Sequence, residues 1–277
     1  MTPVQKALWY IESRFRDEFS LTDVAQASGV SKHYLIRAFG ECTGMSVMQY
    51  VKRRRLSEAA KALAGGAPDI ISVAMMAGYH SHEAFTRAFR DEFRYSPSQV
   101  RKMQQFSSLS ILEPIMLDLE RDIPSDPCIE HHQSFEVSGL SHHYDNQSKA
   151  AIPGLWHQLD QYLGRSNGQL GIPAYGVSWS FDETGGFKYL CGVKASANSE
   201  MVEPETKISI PAGVYAEFRH LGHISSIRET WSAIYNRWLP NSGYQLANSP
   251  EFERYSLDFD PVGGRGFVSL HIPLCKS

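Results

Sequence analysis

Two arginines, Arg37 and Arg87, occupy the same place in a pattern that the chain contains twice. Each lies six residues after a serine, Ser31 or Ser81, and two residues before a phenylalanine. A guanidinium group presents a planar fork of N–H donors that matches the edge of a guanine base or a phosphate group. We therefore predict that both arginines contact nucleic acid; the alternative for each is an ion pair with a neighbouring Glu or Asp.

The elements that must position these arginines are two helix-turn-helix units, at about 25–39 and 74–89. In each unit, an alanine small enough for close helix crossing precedes a glycine, Gly29 or Gly78. Glycine permits the positive φ that ends one helix in a sharp turn, and the serine that follows can cap the next helix. One such pattern is weak evidence, but two in matching register indicate a pair of DNA-reading helices.

The outward face of each second helix carries the residues that we predict to contact DNA. Leu35 with Phe39, and Phe85 with Phe89, are spaced four apart and form the buried stripes. The remaining positions, assigned to DNA, are Ser31, Lys32, His33, Ile36, Arg37, Ser81, His82, Glu83, Thr86 and Arg87. We expect the two helices to enter successive major-groove segments of double-stranded DNA, about 34 Å apart.

Residues 1–105 resemble the DNA-binding domain of the AraC/XylS family of transcriptional regulators. The matching positions are Ser31, Leu35, Arg37, Phe39, Arg55, Leu56, Ala59, Val73, Ala74, Gly78, Tyr79, Ser81, Phe85, Arg87, Phe89, Arg90, Ser96, Pro97 and Arg101. The chain departs from the family pattern at Arg94, where glycine is usual, and at Val100, where an aromatic residue is usual. Both departures concern the turn after the second reading helix. The resemblance implies an all-α double helix-turn-helix domain, with DNA and RNA polymerase as partners.

A run of four basic residues, Lys52-Arg53-Arg54-Arg55, lies on the helix expected from about Ser46 to Ala64. Four successive side chains point all round a helix, so only some of them can face one partner. Two interpretations stay open for this run: contact with DNA phosphates, or an ion-paired and solvated face. For Arg55, the family resemblance favours a structural role.

Charge is divided unevenly along the chain. Residues 1–105 contain 15 Lys and Arg against 10 Asp and Glu, a net of +5; the remainder contains 12 against 20, a net of −8. The basic part suits phosphate contact, whereas DNA would repel the acidic part. No apolar run approaches membrane-spanning length, and Cys42, Cys128, Cys191 and Cys275 lack metal-type spacing. We therefore expect a cytoplasmic protein with no membrane partner.

Residues 106–128 are predicted to be a linker, because serines and prolines interrupt the helical pattern. The apolar residues at 111–117 indicate that this segment packs on something. A hinge and a docked strap both remain open.

From residue 129 to 277 the pattern changes to that of strands alternating with helices. The first set is a strand, a helix and two strands, at 135–144, 152–163, 174–181 and 187–193. The same order returns at 207–220, 224–239, 252–259 and 266–274. Two tandem β-α-β-β units predict an α+β domain, so the fold class is multidomain: an all-α double helix-turn-helix domain followed by this α+β domain.

The candidate for binding chemistry in the α+β domain is Glu253, a carboxylate in an otherwise apolar row. Alternation places it on the same face of its strand as Tyr255. A lone buried carboxylate needs a partner, a proton or a cation, and aromatic rings attract cations. The predicted effector-binding residues are Trp156, Tyr175, Trp179, Tyr189, Glu253 and Tyr255. The alternative is that the aromatic residues are core beneath the helices and that Glu253 lies at a wet strand end.

Several phrases of this domain resemble the GyrI-like small-molecule-binding domain. They are Ile152-Pro-Gly-Leu-Trp156, Tyr175-Gly-Val-Ser178, Tyr189-x-x-Gly192-Val193, Ile210-Pro-Ala-Gly213-x-Tyr215, Trp238-Leu-Pro240-x-Ser242-Gly-Tyr244 and Pro250-x-Phe252-Glu253-x-Tyr255. The resemblance covers nearly all of 129–275 and implies an effector receptor with an aromatic pocket, often for cationic or hydrophobic compounds. Together with the AraC-type domain it resembles the Rob-type regulators.

We thus predict a DNA-binding transcriptional regulator that responds to a small effector, is not an enzyme, and needs no cofactor or metal; its oligomeric state is left open. Gly164-Arg-Ser166-Asn-Gly168 has the spelling of a nucleophile elbow but no strand before it, and His131-His132 and His142-His143 lack further ligands. Two alternatives stay open: a hydrolase with Glu253 as general base, and a drug-sequestering protein with an accessory DNA-binding head.

Overall fold

Helices occupy the chain from Pro3 to Met103, and strands dominate it from Cys128 to Lys276. The computed structural model describes residues 1–67, 69–117, 126–162, 173–195, 206–260 and 263–276. The helices of the first part are α1 (Pro3–Arg14), α2 (Leu21–Ser28), α3 (Lys32–Thr43), α4 (Val47–Ala64), α5 (Ile70–Met76), α6 (His82–Phe93) and α7 (Pro97–Met103). Of these, α3 and α6 are the helices that we expect to read DNA.

The chain divides into two compact units that do not follow sequence order. The first unit consists of Pro3–Lys32 and Val47–Leu117, and the second consists of His33–Ser46 and Asp118–Ser277. Nearly all of α3 therefore belongs to the same unit as the strands. The domain boundaries at residues 105 and 129 stay a prediction.

In the first unit, side chains that accept backbone N–H groups define the starts of four helices, the first being α2, where Ser20 accepts from Asp23. Asp69, Ser81 and Ser96 each accept from the residue three positions later, at the starts of α5, α6 and α7. Helices α4, α5, α6 and α7 pack around a cluster of buried residues that includes Leu63 of α4 and Phe89 of α6. The cap at Ser81 is the one expected for the second reading helix.

The described first part of the linker is a docked strap. The backbone N–H of Leu112 donates to Ser57 Oγ at 2.9 Å, and that of Ile115 donates to Tyr50 Oη at 3.3 Å. Leu109 is buried in the cluster of the first unit. Hydrogen bonds and apolar burial thus hold this segment against α4, while residues 118–125 lie outside the described residues.

The basic run on α4 is engaged largely within the first unit. Arg53 pairs with Glu92 at 2.6 Å, and Arg54 pairs with Glu12 at 2.8 Å. Arg55 donates to backbone carbonyl groups near the end of α1. The ion-paired interpretation therefore holds for Arg53 and Arg54, and the structural role that the resemblance favours holds for Arg55.

The strands form one antiparallel sheet in the second unit. They are β1 (Cys128–His132), β2 (Phe135–Tyr144), β3 (Ala174–Trp179), β4 (Phe187–Lys194), β5 (Thr206–Ile210), β6 (Gly213–His220), β7 (Tyr244–Leu246), β8 (Glu251–Tyr255) and β9 (Val268–Lys276). Their order is β1-β6-β9-β8-β3-β4-β2-β5, and β7 pairs with β9.

The predicted repeat of β-α-β-β is visible in this order. The first repeat consists of β2, α8 (Ile152–Tyr162), β3 and β4. The second repeat consists of β6, a helix that includes α9 (Ile227–Ala233), β8 and β9. Each repeat places its last strand in the middle, as β3-β4-β2 and β6-β9-β8, and the two meet at β8 and β3. The expected fold class is confirmed.

Some boundaries differ from the prediction. The run expected as one strand at 207–220 breaks at Pro211 into β5 and β6, because proline lacks the N–H that a central strand donates. The helix expected at 224–239 contains a π-helical turn at Ile234–Trp238 after α9. The sequence also missed two short strands, β1 and β7. Residue 163 of the other predicted helix, and Gly164–Gly168, lie outside the described residues.

Candidate DNA-reading helices and effector site

A buried aromatic row holds α6 and leaves its other side to solvent. Phe85, Phe89 and Phe93 are buried, with neighbouring ring centroids 5.5 and 4.8 Å apart. Of the residues assigned to DNA on this helix, Thr86 is partly buried and the others are exposed, namely Ser81, His82, Glu83 and Arg87. The face of α6 that we expect to read DNA is accessible.

The turn after α6 keeps its shape despite the departure at Arg94. This residue caps the helix with φ of 63° and ψ of 6°, in the left-handed region. Glycine is favoured there because a side chain crowds the backbone. An arginine thus adopts the conformation for which the family pattern has glycine. The second departure, Val100, is buried in the cluster of the first unit.

The first reading helix, α3, has a different exposure. Ser31 and Lys32 are exposed, and His33 and Ile36 are partly buried. Arg37 is only 4% exposed, although it occupies the same place in the pattern as the exposed Arg87 of α6. Its predicted DNA contact stays a prediction, but in this structure its guanidinium group is turned away from solvent.

An acid far along the chain is the partner of Arg37. Arg37 Nη1 lies 2.5 Å from Glu251 Oε1, and Nη2 donates to the carbonyl of Ser249 at 3.1 Å. The guanidinium carbon also lies 4.3 Å from the ring centroid of Phe181. Burial raises the pKa of Glu251 to about 7 and lowers that of Arg37. The ion pair that we stated as the alternative is therefore formed, but with Glu251 of β8 instead of a neighbour in sequence.

Other side chains of α3 contact the same unit. Tyr34 Oη donates to the carbonyl of Tyr235 at 2.5 Å. Lys149 Nζ lies 2.9 Å from Glu41 Oε1, and both side chains are largely buried. Burial also lowers the pKa of His33 to about 4. Contacts with Glu251, Tyr235 and Lys149 thus hold α3 in the second unit.

The candidate effector site is a carboxylate surrounded by three aromatic donors. Glu253 Oε2 accepts from Tyr255 Oη at 2.8 Å and from Tyr189 Oη at 3.0 Å, and Oε1 accepts from Trp231 Nε1 at 3.3 Å. Trp156 donates in turn to Tyr189 Oη at 3.1 Å, and its ring lies 4.8 Å from that of Tyr255. The structure thus brings Trp156, Tyr189, Tyr255 and Glu253 together, as the sequence suggested.

Desolvation by these rings sets the protonation of the site. Burial raises the pKa of Glu253 above its ordinary value, and the hydrogen bonds from Tyr255, Trp231 and Tyr189 lower it. Burial also raises the pKa of Tyr189 and Tyr255 well above the ordinary value, so both phenols remain donors. Glu253 as a residue is partly exposed, and Trp156 at the side of the cluster is partly exposed as well.

Sequence reasoning missed Trp231, although a signal was present. Trp156 is the fifth residue of α8 and Trp231 is the fifth residue of α9, so the two tryptophans occupy equivalent places in the two β-α-β-β repeats. Both indoles donate into the same cluster. Comparing the repeats position by position would have found the second tryptophan.

Tyr175 and Trp179 do not belong to this cluster, and grouping them with Glu253 was wrong. Gly176 pairs with Glu253 in the register of β3 and β8, so the odd-numbered residues of β3 point to the opposite face of the sheet. There Tyr175 packs with Val177 and Phe252, and Trp179 lies against the same cluster. The core alternative holds for these two residues.

Gly176 marks the closest approach of backbone to the cluster. A Cβ atom at this position would lie 2.1 Å from Tyr189 Oη and 2.7 Å from Glu253 Oε2. Any side chain there would displace the groups that hold the carboxylate.

A cavity of about 390 Å³ in the second unit lies away from this cluster, between α3 and α9, and its lining includes Cys42 and Arg237.

Two other kinds of site have no counterpart in the described structure. Among the described residues, no group of three or more His, Cys, Asp or Glu side chains is placed to hold a metal ion. Within that same part of the chain, no helix is long and apolar enough to cross a membrane.

Comparison with known families agrees with this arrangement. Residues 125–263 match the GyrI-like small molecule binding domain, and residues 24–103 match a helix-turn-helix domain. The chain belongs to the GyrI-like family. Its helix-turn-helix part is of the AraC type, so it is a DNA-binding transcription regulator with a small-molecule-binding domain.

Regulators from other bacteria are similar to this chain over all or part of its length. The chain is 26% identical over 282 residues to the transcriptional regulator Rob of Salmonella typhimurium, covering 96% of this chain and 94% of that protein. It is 25% identical over 291 residues to the right origin-binding protein of Escherichia coli, covering 98% and 96%. A shorter match, 34% over 112 residues, links 40% of this chain to 83% of the transcriptional activator AarP of Providencia stuartii.

Proposed function

We propose that this regulator binds a lipophilic cation at Glu253 and reads two successive major-groove segments of DNA with α3 and α6. The observation that carries the effector part is the convergence of Tyr189, Tyr255 and Trp231 on the carboxylate of Glu253. The remaining steps concern the charge of that carboxylate, the rings around it and the exposed face of α6.

The charge of Glu253 favours a cation as the ligand. Among the described residues, the hydrogen-bond partners of its carboxylate are two phenols and an indole, all of them neutral. Neutral donors stabilise the carboxylate but do not balance its charge. A cation that reached the site would supply the missing charge in a partly desolvated place, where it has most effect.

The rings around Glu253 favour a lipophilic cation over a hydrated metal ion. The faces of Trp and Tyr attract cations through the ring quadrupole, most strongly when water is excluded. Trp156 is partly exposed at the outer side of the cluster, and Trp231 is buried deeper. We expect the ligand to enter past Trp156 and to take the place of at least one hydrogen bond to Glu253.

The exposed face of α6 supports the DNA-reading part. Arg87 and His82 are accessible on a helix whose other side is fixed by buried phenylalanines. A rigid helix with accessible donors on one face is what entry into a major groove requires. Because a transcription regulator acts at promoters, we also propose RNA polymerase as a partner.

The effector part is tested by titrating the full chain with tetraphenylphosphonium and measuring the heat of binding. We expect saturable binding that Glu253→Gln weakens at least tenfold, since the substitution removes the charge and keeps the shape. Glu136→Gln, which changes an exposed carboxylate on β2 of the same sheet, is the matched control and should have no effect. Triphenylphosphine oxide, a neutral compound with the same rings, should bind far more weakly.

Equal affinity of wild type and Glu253→Gln for the cation would refute the effector site. A raised pKa also suits a general base, so the hydrolase alternative is examined with the same sample. Tetraphenylphosphonium contains no hydrolysable bond, so the bound compound must be recovered unchanged if the site is a receptor. Hydrolysis of an added ester that Glu253→Gln abolishes would favour the enzyme.

A further inference from the structure

The side of α3 that should face DNA is covered at Arg37, although Ser31 and Lys32 at its start are exposed, and this cover is not a property of the helix-turn-helix pattern itself. At equivalent places in the two copies, Tyr34 is 6% exposed while Ala84 is exposed, and Arg37 is 4% exposed while Arg87 is exposed. The same two positions of the pattern are therefore open in α6 and covered in α3. The difference lies in what α3 contacts.

The groups that contact α3 define a surface, which we call the α3-binding surface. Its members come from four places in the second unit and are Lys149, Phe181, Ser232, Tyr235, Ser249 and Glu251. Lys149 pairs with an acid of α3, and Glu251 pairs with a base of α3. The charges of the surface are thus complementary to those of the helix.

This surface imitates what DNA offers to Arg37. The carboxylate of Glu251 and the carbonyl of Ser249 present two oxygen acceptors to two N–H groups of one guanidinium. A guanine edge presents two acceptors to the same fork, and a phosphate group does likewise. One guanidinium cannot occupy both partners at once, so binding to this surface and binding to DNA exclude each other at Arg37.

We infer that the α3-binding surface is an autoinhibitory site that competes with DNA for α3, and that a cation at Glu253 weakens it. This inference rests on the proposed DNA-reading function of α3. In the docked state Arg87 of α6 is available to DNA and Arg37 of α3 is not, and release of α3 makes the second arginine available.

The link between the two sites is strand β8. Glu251 and Glu253 are two residues apart and point to the same face, about 6.6 Å apart along the strand. A cation at Glu253 attracts the carboxylate of Glu251 and repels the guanidinium of Arg37. Burial already disfavours both charges of that pair, as the shifted pKa values of Arg37 and Glu251 indicate. We therefore expect the charge of the bound cation to weaken the pair enough to release Arg37.

A disulfide can lock α3 on this surface. Ser232 Oγ lies 3.7 Å from Cys42 Sγ of α3, close enough for Ser232→Cys to form a disulfide with Cys42 after small side-chain rotations. The probe is a genomic fragment selected by the wild-type full chain. We expect oxidised Ser232→Cys to bind this fragment at least tenfold more weakly than the reduced protein, with full recovery after reduction.

The control for the lock is Cys42→Ser in the Ser232→Cys background, whose affinity must not depend on oxidation. Mass spectrometry reports whether the disulfide forms. Failure of the disulfide to form under oxidising conditions would place α3 away from α9 and overturn the inference. A fully formed disulfide that leaves DNA affinity unchanged would overturn it too.

A second variant opens the surface instead of locking it. Glu251→Gln removes the charge that holds Arg37 and leaves α3 intact, so we expect at least fivefold tighter binding to the same fragment. Unchanged or weaker binding would contradict the competition. If the wild-type chain selects no fragment at all, the proposed DNA-reading function fails; if it does and both variants behave as wild type, only the autoinhibition fails.

Discussion

Replacing Gly176 with alanine should damage the effector site through a defined steric conflict. The added Cβ would lie 2.1 Å from Tyr189 Oη, and since ordinary contact begins near 3.4 Å the overlap is about 1.3 Å. The phenol ring is stiff, so Tyr189 must move as a whole and lose its 3.0 Å hydrogen bond to Glu253. Overpacking costs about 1–3 kcal/mol, and a lost hydrogen bond to a charged group costs about 1.5–3 kcal/mol.

Because these two costs overlap, we expect Gly176→Ala to lower the free energy of unfolding by about 3 kcal/mol. This corresponds to a fall in Tm of roughly 6–12 °C for a domain of this size. The assay is thermal and urea unfolding of the full chain followed by tryptophan fluorescence, since Trp156 and Trp231 lie in the cluster. The same variant should bind tetraphenylphosphonium at least tenfold more weakly.

Gly154→Ala is the matched control for this experiment. Gly154 lies in α8 of the same domain, and a Cβ there would meet no atom within 4 Å. The exchange should be neutral or slightly stabilising, because alanine favours a helix by up to about 1 kcal/mol over glycine. Neutral substitutions change the free energy of unfolding by up to about 0.5 kcal/mol. A change in Gly176→Ala that stays within this spread, together with unchanged affinity for the cation, would refute the steric reasoning.

Three further predictions concern DNA affinity, stability and pH. Arg87→Ala should weaken binding to the selected fragment by about 1–3 kcal/mol in a gel-shift titration with unchanged far-UV dichroism, while Lys102→Ala on α7 serves as the exposed control; equal affinity removes Arg87 from the DNA contacts. Arg94→Gly should raise the free energy of unfolding by about 0.5–1 kcal/mol, because glycine accepts the φ of 63° without crowding; a less stable variant would contradict that account of the turn. Protonation of Glu253 removes the charge that attracts tetraphenylphosphonium, and the pKa of this carboxyl is raised above its ordinary value of 4.5. As the pH is lowered, the affinity should therefore begin to fall at a higher pH than an ordinary carboxyl would give. An affinity that stays constant from pH 7 to 5 would contradict this prediction.

Most of the fold could be predicted from local sequence patterns. The strand predicted at 135–144 and the helix that begins at 152 coincide with β2 and the start of α8, because alternation and helical period are properties of short segments. The paired helix-turn-helix units follow from the spacing of glycine, serine and phenylalanine. The strand predicted at 207–220 was wrong at Pro211, where the chain breaks into β5 and β6, although the sequence itself contains the proline that causes the break.

The site was less accessible to prediction because it depends on register and on distant partners. Whether Tyr175 or Gly176 faces Glu253 is decided by the alignment of β3 with β8, and a shift of one residue reverses the answer. Arg37 and Glu251 are 214 residues apart, so no local pattern pairs them. The sequence analysis singled out Arg37 but not Glu251, and only the folded chain brings the two charges together.

Ligand-responsive DNA binding is tested most directly by one titration. The full chain is used to select genomic fragments, and its affinity for a selected fragment is measured with and without tetraphenylphosphonium, in wild type and in Glu253→Gln. We predict that the cation tightens DNA binding of the wild type at least fivefold and leaves that of Glu253→Gln unchanged. Selection of no fragment, or the same response to the cation in both proteins, would contradict the account.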